Sequence, residues 1–126
     1  MKRRDFLKSA MTTGAGLILL PGGLRGATAA SNKLNIALIG TWGRGLAHFD
    51  SIADENVVAL CDCWERNLAD AVKRFPKAKT YIDWRKCLEQ KDIDAVVICT
   101  TDFTHAFIAN WALNRNMHVY LEKPLG

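Results

Sequence analysis

The sequence predicts a doubly wound α/β fold, a parallel sheet covered by helices on both faces. Three observations predict it. From Leu34 onward, short apolar runs alternate with stretches whose apolar residues recur at helical spacing. The runs are apolar throughout rather than at every second residue, as strands are when both sheet faces are buried. Glycine-rich and charged segments follow such runs directly, where open α/β sheets bind ligands. Right-handed crossovers then place any ligand at the carboxyl ends of the strands, near the switch point between the first strand and the fourth.

The elements follow in order. "LNIALIG" is the first strand, and "GRGLAHFDSIA" is a helix with Leu46, Phe49, Ile52 and Ala53 on its packing face. After the turn Asp54-Glu55-Asn56, "VVALC" is the second strand. "NLADAVKRF" returns to helix with Leu68, Ala71, Val72 and Phe75 on one face, and Pro76 ends it. A short strand at "KTYI" precedes a helix over "DWRKCLEQ", with Asp83 as its N-cap. "KDID" is a polar turn, and "AVVICT" is the most apolar strand of the chain. "HAFIANWALNRN" is a helix offering Ala106, Ile108, Ala109, Trp111, Ala112 and Leu113 for packing, closed by Asn114-Arg115-Asn116. "HVYLEKP" is a last strand running to Pro124.

Charge and targeting narrow the function classes. The chain of 126 residues carries a net charge of +4. Residues 1–29 hold Lys2, Arg3, Arg4, Lys8 and Arg25 against Asp5 alone, so the whole excess sits there and the body from Ala30 is neutral. A neutral body excludes a nucleic-acid footprint. The same 29 residues have the parts of an export signal: the basic start "MKRRDFLK", an apolar run from Ala10 to Leu20, and "ATA" at 27–29 as a cleavage site. Gly14, Gly16 and Pro21 interrupt or end the run, which is too short for a stable membrane span. "RRDFLK" resembles the twin-arginine signal, so the expected destination is the periplasm or another extracytoplasmic space. That route exports proteins already folded, often around a cofactor. Cys61, Cys63, Cys87 and Cys99 show no zinc-site spacing and read as buried or half-buried free thiols.

"IGTWGRG" follows a strand and opens a helix, the setting in which a glycine turn binds the pyrophosphate of a dinucleotide. That fingerprint, G-x-G-x-x-G, asks for glycine at 40, 42 and 45; here glycine stands at 40, 43 and 45, with Trp42 in the second place. Gly40 fills the tight-turn role and Gly45 the close-packing role, and the helix N-terminus supplies N–H donors. Asp62 ends the second strand about 20 residues on, where a carboxylate accepts from the adenosine ribose hydroxyls. It would repel a 2′-phosphate, which favours NAD over NADP, although Arg66 lies close by. The plainer reading of Asp62 is a loop residue capping the next helix.

"TTDFTHAFIANWALNRNMHVYLEKPLG" resembles the "T-P-D-H-T-H-A … G-K-H-V-Y-x-E-K-P-L" segment of the Gfo/Idh/MocA oxidoreductases, the glucose-fructose oxidoreductase and inositol dehydrogenase family. "VVALCDCWERN" and "FPKAKTYIDWRKCLEQ" are similar to its exported bacterial members. The resemblance covers Leu34 to Gly126 and implies a Rossmann-like domain over residues 30–126. It implies that Gly40 and the backbone of Trp42, Gly43, Arg44 and Gly45 hold the pyrophosphate and Asp62 the ribose. Thr100, Asp102 and His105 would line the cofactor's groove. Glu122 and Lys123 would approach the nicotinamide end, with Lys123 as the catalytic residue that orients substrate and assists proton movement. The Lys123–Pro124 bond is cis in relatives. Two further departures, Thr101 for proline and Phe103 for histidine, adjust loop shape.

Relatives continue past the "EKP" motif into the rest of this domain and a second, substrate-binding domain. The sequence as it stands is therefore expected to be a fold incomplete at its C-terminal end, marginally stable and inactive alone. The expected complete protein transfers hydride to or from a sugar or cyclitol, with a homo-oligomer left open. The alternatives are an NAD-dependent glycosidase of the same family and a nucleotide-binding fragment without catalysis.

Overall fold

The structure is a computed structural model that describes residues 33–125. The expected export signal lies outside the described residues. Among the described residues, five strands form one parallel sheet: β1 (Asn35–Ile39), β2 (Asn56–Cys61), β3 (Lys79–Tyr81), β4 (Ala95–Ile98) and β5 (His118–Leu121). Their spatial order is β3-β2-β1-β4-β5. Register runs from Asn35 opposite Asn56 on one side of β1 and from Ile36 opposite Ala95 on the other, with a bulge between Ile36 and Ala37. The chain thus winds outward from β1 first one way and then the other, and the switch point lies between β1 and β4 as the sequence predicts.

Among the described residues, four α-helices cover the sheet: α1 (Phe49–Ile52), α2 (Glu65–Arg74), α3 (Trp84–Cys87) and α4 (His105–Leu113). Successive strand residues point to opposite faces, and both faces are apolar. Ala37, Ile39, Ala59, Val96 and Ile98 pack with Cys87, Ile108 and Ala112 on the α3/α4 side. Ile36, Leu38, Leu60 and Val97 pack with Ile52, Leu68, Ala71 and Phe75 on the α1/α2 side. Leu38, Leu60 and Ile98 are essentially fully buried, and each such side chain contributes about 2 kcal/mol relative to exposure.

The helix expected after the glycine turn is instead a 3-10 helix, Gly43–His48, running into the single turn of α1. Three residues per turn set Gly45 and His48 toward the sheet, ahead of Phe49 and Ile52. Leu46 and Ala53, expected to pack, are exposed for that reason. On α4 the buried residues are His105, Ile108, Ala109 and Ala112, while Ala106 and Leu113 face outward. Asp83 caps α3 as expected, its side chain accepting from the Arg85 N–H at 2.9 Å, but the helix stops at Cys87 and continues as turns. Asn116, at φ +59°, closes the chain after α4; asparagine tolerates this left-handed geometry. The last strand ends at Leu121 rather than Pro124, and Lys123–Pro124 is cis. No helix among the described residues is long and apolar enough to cross a membrane.

Candidate dinucleotide site

A cleft of about 440 Å³ opens at the carboxyl ends of β1, β2 and β4. The glycine turn forms its floor. Gly40 takes φ +89°, and its N–H donates to Cys61 O at 2.8 Å, tying the turn to the end of β2. A Cβ on Gly45 would stand 2.0 Å from Gly40 O, so only glycine allows the helix to pack this closely on the turn. Trp42 is extended, φ −124° and ψ 169°, a conformation open to any residue. The left-handed step falls one residue later, on Gly43 at φ +57°. This explains how a bulky residue occupies the second glycine's place: the backbone there needs no glycine, and Trp42 stays 64% exposed at the cleft's border.

The turn presents donors. Among the described residues none accepts from the backbone N–H groups of Trp42, Gly43 or Arg44, which precede the first bond of the 3-10 helix, Gly45 N–H to Trp42 O at 3.0 Å. The Arg44 side chain lines the same cleft. Because the following helix is short, these N–H groups and Arg44 supply the positive character that the sequence assigned to a long helix's N-terminus.

Asp62 stands at the cleft's other end, half-buried. Its Oδ2 accepts from the Thr41 N–H at 3.0 Å and from Thr41 Oγ1 at 3.1 Å, and its Oδ1 accepts from the Trp64 N–H at 3.0 Å. It therefore ties the glycine turn to the turn before α2, with Oδ1 retaining capacity for one further donor. Asp62 lines the cleft, while the capping alternative is not realised: Oδ1 accepts from the N–H of Trp64, the residue before α2, and no side chain caps that helix.

Of the other residues expected at the site, Thr100 lines the cleft and Gly43 and Gly45 shape its floor without facing it. Asp102 is exposed and outside it. His105 is a correction. Its ring is 1% exposed beneath the site, with Nδ1 2.7 Å from Pro124 O and Nε2 3.1 Å from Thr100 O. The imidazole sits between two main-chain carbonyls, joining the loops after β4 and β5 instead of lining the groove. Glu122 is likewise buried, not open to the cleft. Its Oε1 lies 2.6 Å from His48 Nε2 and 3.1 Å from Arg44 Nε. The hydrogen bond from His48 holds the Glu122 carboxyl below the usual carboxylate range; burial opposes this, and Arg44 adds to the lowering. Lys123 is exposed just beyond, outside the cleft.

Sequence reasoning missed several cleft residues. Ile82 and Trp84, after β3, and Thr101 and Thr104, after β4, also line it. All follow strand ends, and that rule alone would have found them. His48 had no local signal, because its partner lies 74 residues away. The thiols of Cys61 and Cys99 are buried at the cleft, while Cys63 at its mouth is exposed rather than half-buried. A hydrogen bond with Cys87, then burial, pushes the Cys61 thiol well above its ordinary value. Burial and the nearby Glu122, against Arg44, push Cys99 up to about 12.

The strand order, the glycine turn at the switch point and the cleft beside it define a Rossmann-like nucleotide-binding domain. Residues 34–126 match the Gfo/Idh/MocA family, described as an oxidoreductase family with an NAD-binding Rossmann fold, and the chain belongs to that family. It is 36% identical over 102 residues to the glycosyl hydrolase family 109 protein 2 of Phocaeicola vulgatus, covering 72% of this chain and 25% of that protein. It is 34% identical over 77 residues to the inositol 2-dehydrogenase of Salmonella typhimurium, covering 60% of this chain and 23% of that one. The crystal structure of myo-inositol dehydrogenase from Lactobacillus casei in complex with NAD(H) and myo-inositol superposes with a TM-score of 0.70 at 31% identity, covering 75% of this chain and 29% of that one. The chain spans about a quarter of the length of the curated relatives it matches.

Proposed function

We propose that the cleft binds NAD and that the chain is the cofactor-binding portion of an exported oxidoreductase acting on a sugar or cyclitol. The observation that carries this reading is the glycine turn, with three backbone N–H groups that no described residue accepts from and the Arg44 side chain beside a cleft that ends at Asp62. A pyrophosphate fits that donor set, and the remaining acceptor position of Asp62 suits a ribose hydroxyl. The carboxylate favours NAD over NADP, since a 2′-phosphate would meet a like charge. Bound NAD would supply the hydride acceptor. Thr100 borders the groove, Glu122 fixes the end of β5, and Lys123 next to it orients the substrate and takes part in moving its hydroxyl proton. The arginine pair Arg3-Arg4 and the "ATA" site support export in the folded state.

The glycosyl hydrolase family 109 relative favours a second reading, an NAD-dependent glycosidase in which the cofactor is recycled. One assay separates the readings. The exported protein from its native source is incubated with NAD and either cyclitols and hexoses or aryl glycosides. Net formation of reduced nicotinamide from the former supports the oxidoreductase. Release of the aryl alcohol without net reduced nicotinamide supports the glycosidase, and neither reaction leaves a nucleotide-binding protein without catalysis.

A further inference from the structure

Beside the proposed cofactor site stands a buried carboxylate with two partners on one oxygen, and the two partners are tied down to different degrees. His48 Nε2 lies 2.6 Å from Glu122 Oε1, its side chain is 15% exposed, and its ring packs edge-on against Tyr120 with centroids 5.2 Å apart. Arg44 reaches the same oxygen through Nε at 3.1 Å, but its side chain is 63% exposed and borders the cleft. A guanidinium carries five N–H donors, and among the described residues only Glu122 pairs with this one.

A buried carboxylate stripped of its sole partner is strongly destabilising. Glu122 keeps His48 when Arg44 leaves, so Arg44 can leave. We propose that Glu122 and the pyrophosphate of the dinucleotide compete for Arg44: the guanidinium turns from Glu122 to the anion, and His48 remains on the carboxylate. This rests on the cofactor reading above and adds to it a restraint on affinity built into the end of β5. Glu122 then weakens pyrophosphate binding in exchange for tying that strand to the glycine turn in the free protein.

The test uses the full chain and ADP, which has the pyrophosphate and adenosine but no nicotinamide. Affinity is measured by calorimetry for wild type, Arg44→Gln, Glu122→Gln and the double variant. Arg44→Gln should weaken ADP binding about tenfold, the usual scale for one charge-assisted contact to phosphate. Glu122→Gln, whose amide oxygen can still accept from His48, should tighten it several-fold, and the gain should vanish in the Arg44→Gln background. A loss on Glu122→Gln, no change, or an equal change in both backgrounds overturns the proposal. A second readout needs no variant: the Arg44 Nε–H resonance of the wild type should shift with ADP and stay fixed with adenosine. A resonance unmoved by bound ADP overturns the exchange alone, whereas no ADP binding by the wild type overturns the cofactor reading and the exchange together.

Discussion

His48 and Glu122 meet at 2.6 Å although 74 residues separate them in the chain. One belongs to the 3-10 helix that leaves the glycine turn, and the other directly follows β5. Their contact spans the sheet from its central strand, past β4, to β5, and so joins the loop of the proposed pyrophosphate site to the "EKP" segment.

That contact makes an acid-side prediction. A carboxyl held below its ordinary value in the folded state stabilises the fold fully above that ordinary value, near 4.5, and loses the contribution as pH falls through the lowered one. Thermal unfolding of wild type and Glu122→Gln should therefore differ by a constant amount at neutral pH. The gap should close as the solution is acidified below the ordinary carboxylate range. A gap that widens in acid would contradict the pairing.

The two glycines of the 3-10 helix should respond differently to alanine. At Gly45 the new Cβ would overlap Gly40 O at 2.0 Å, and backbone cannot yield as a flexible side chain does, so a loss of about 3 kcal/mol is expected. At Gly43 the Cβ meets nothing within 4 Å, leaving only left-handed strain of about 1 kcal/mol. Denaturant titrations of the two variants check the ranking.

Trp42→Gly should not tighten dinucleotide binding. The native backbone is already extended at Trp42, and the residue stays largely exposed at the cleft's border. Glycine there adds freedom to the unfolded chain and costs about 0.5–1 kcal/mol of stability. Parallel binding and melting measurements test both halves.

Thiol labelling should follow burial and protonation. Cys63 is exposed, whereas Cys61, Cys87 and Cys99 are buried and Cys99 holds its proton up to about 12. Alkylation of the native protein at neutral pH, read by mass spectrometry, should modify Cys63 alone, with the other three reacting only in denaturant.

The fold was legible because its signals are local. The short apolar runs within 35–39, 56–61 and 95–98, set between helical stretches, read as doubly covered strands, and Pro76 and Asp83 marked helix boundaries. The glycine turn was legible in outline, but its left-handed step at Gly43 and the packing of the 3-10 helix on Gly40 through Gly45 are recorded by no periodicity. Site residues read from short motifs met a harder limit. Thr100 and Asp62 follow strands and reach the cleft. His105 and Glu122 sit in equally suggestive segments, yet long-range partners, Pro124 and His48, draw them beneath the surface.

The central claim is that the cleft holds NAD, and the most direct measurement is a titration of the chain with NADH. Trp42 and Trp84 border the cleft, so their fluorescence reports occupancy. If the cleft holds NAD, NADH quenches this fluorescence saturably, excess ADP reverses the quenching, and NADPH quenches more weakly. Quenching that never saturates, or that ADP does not displace, would contradict that claim.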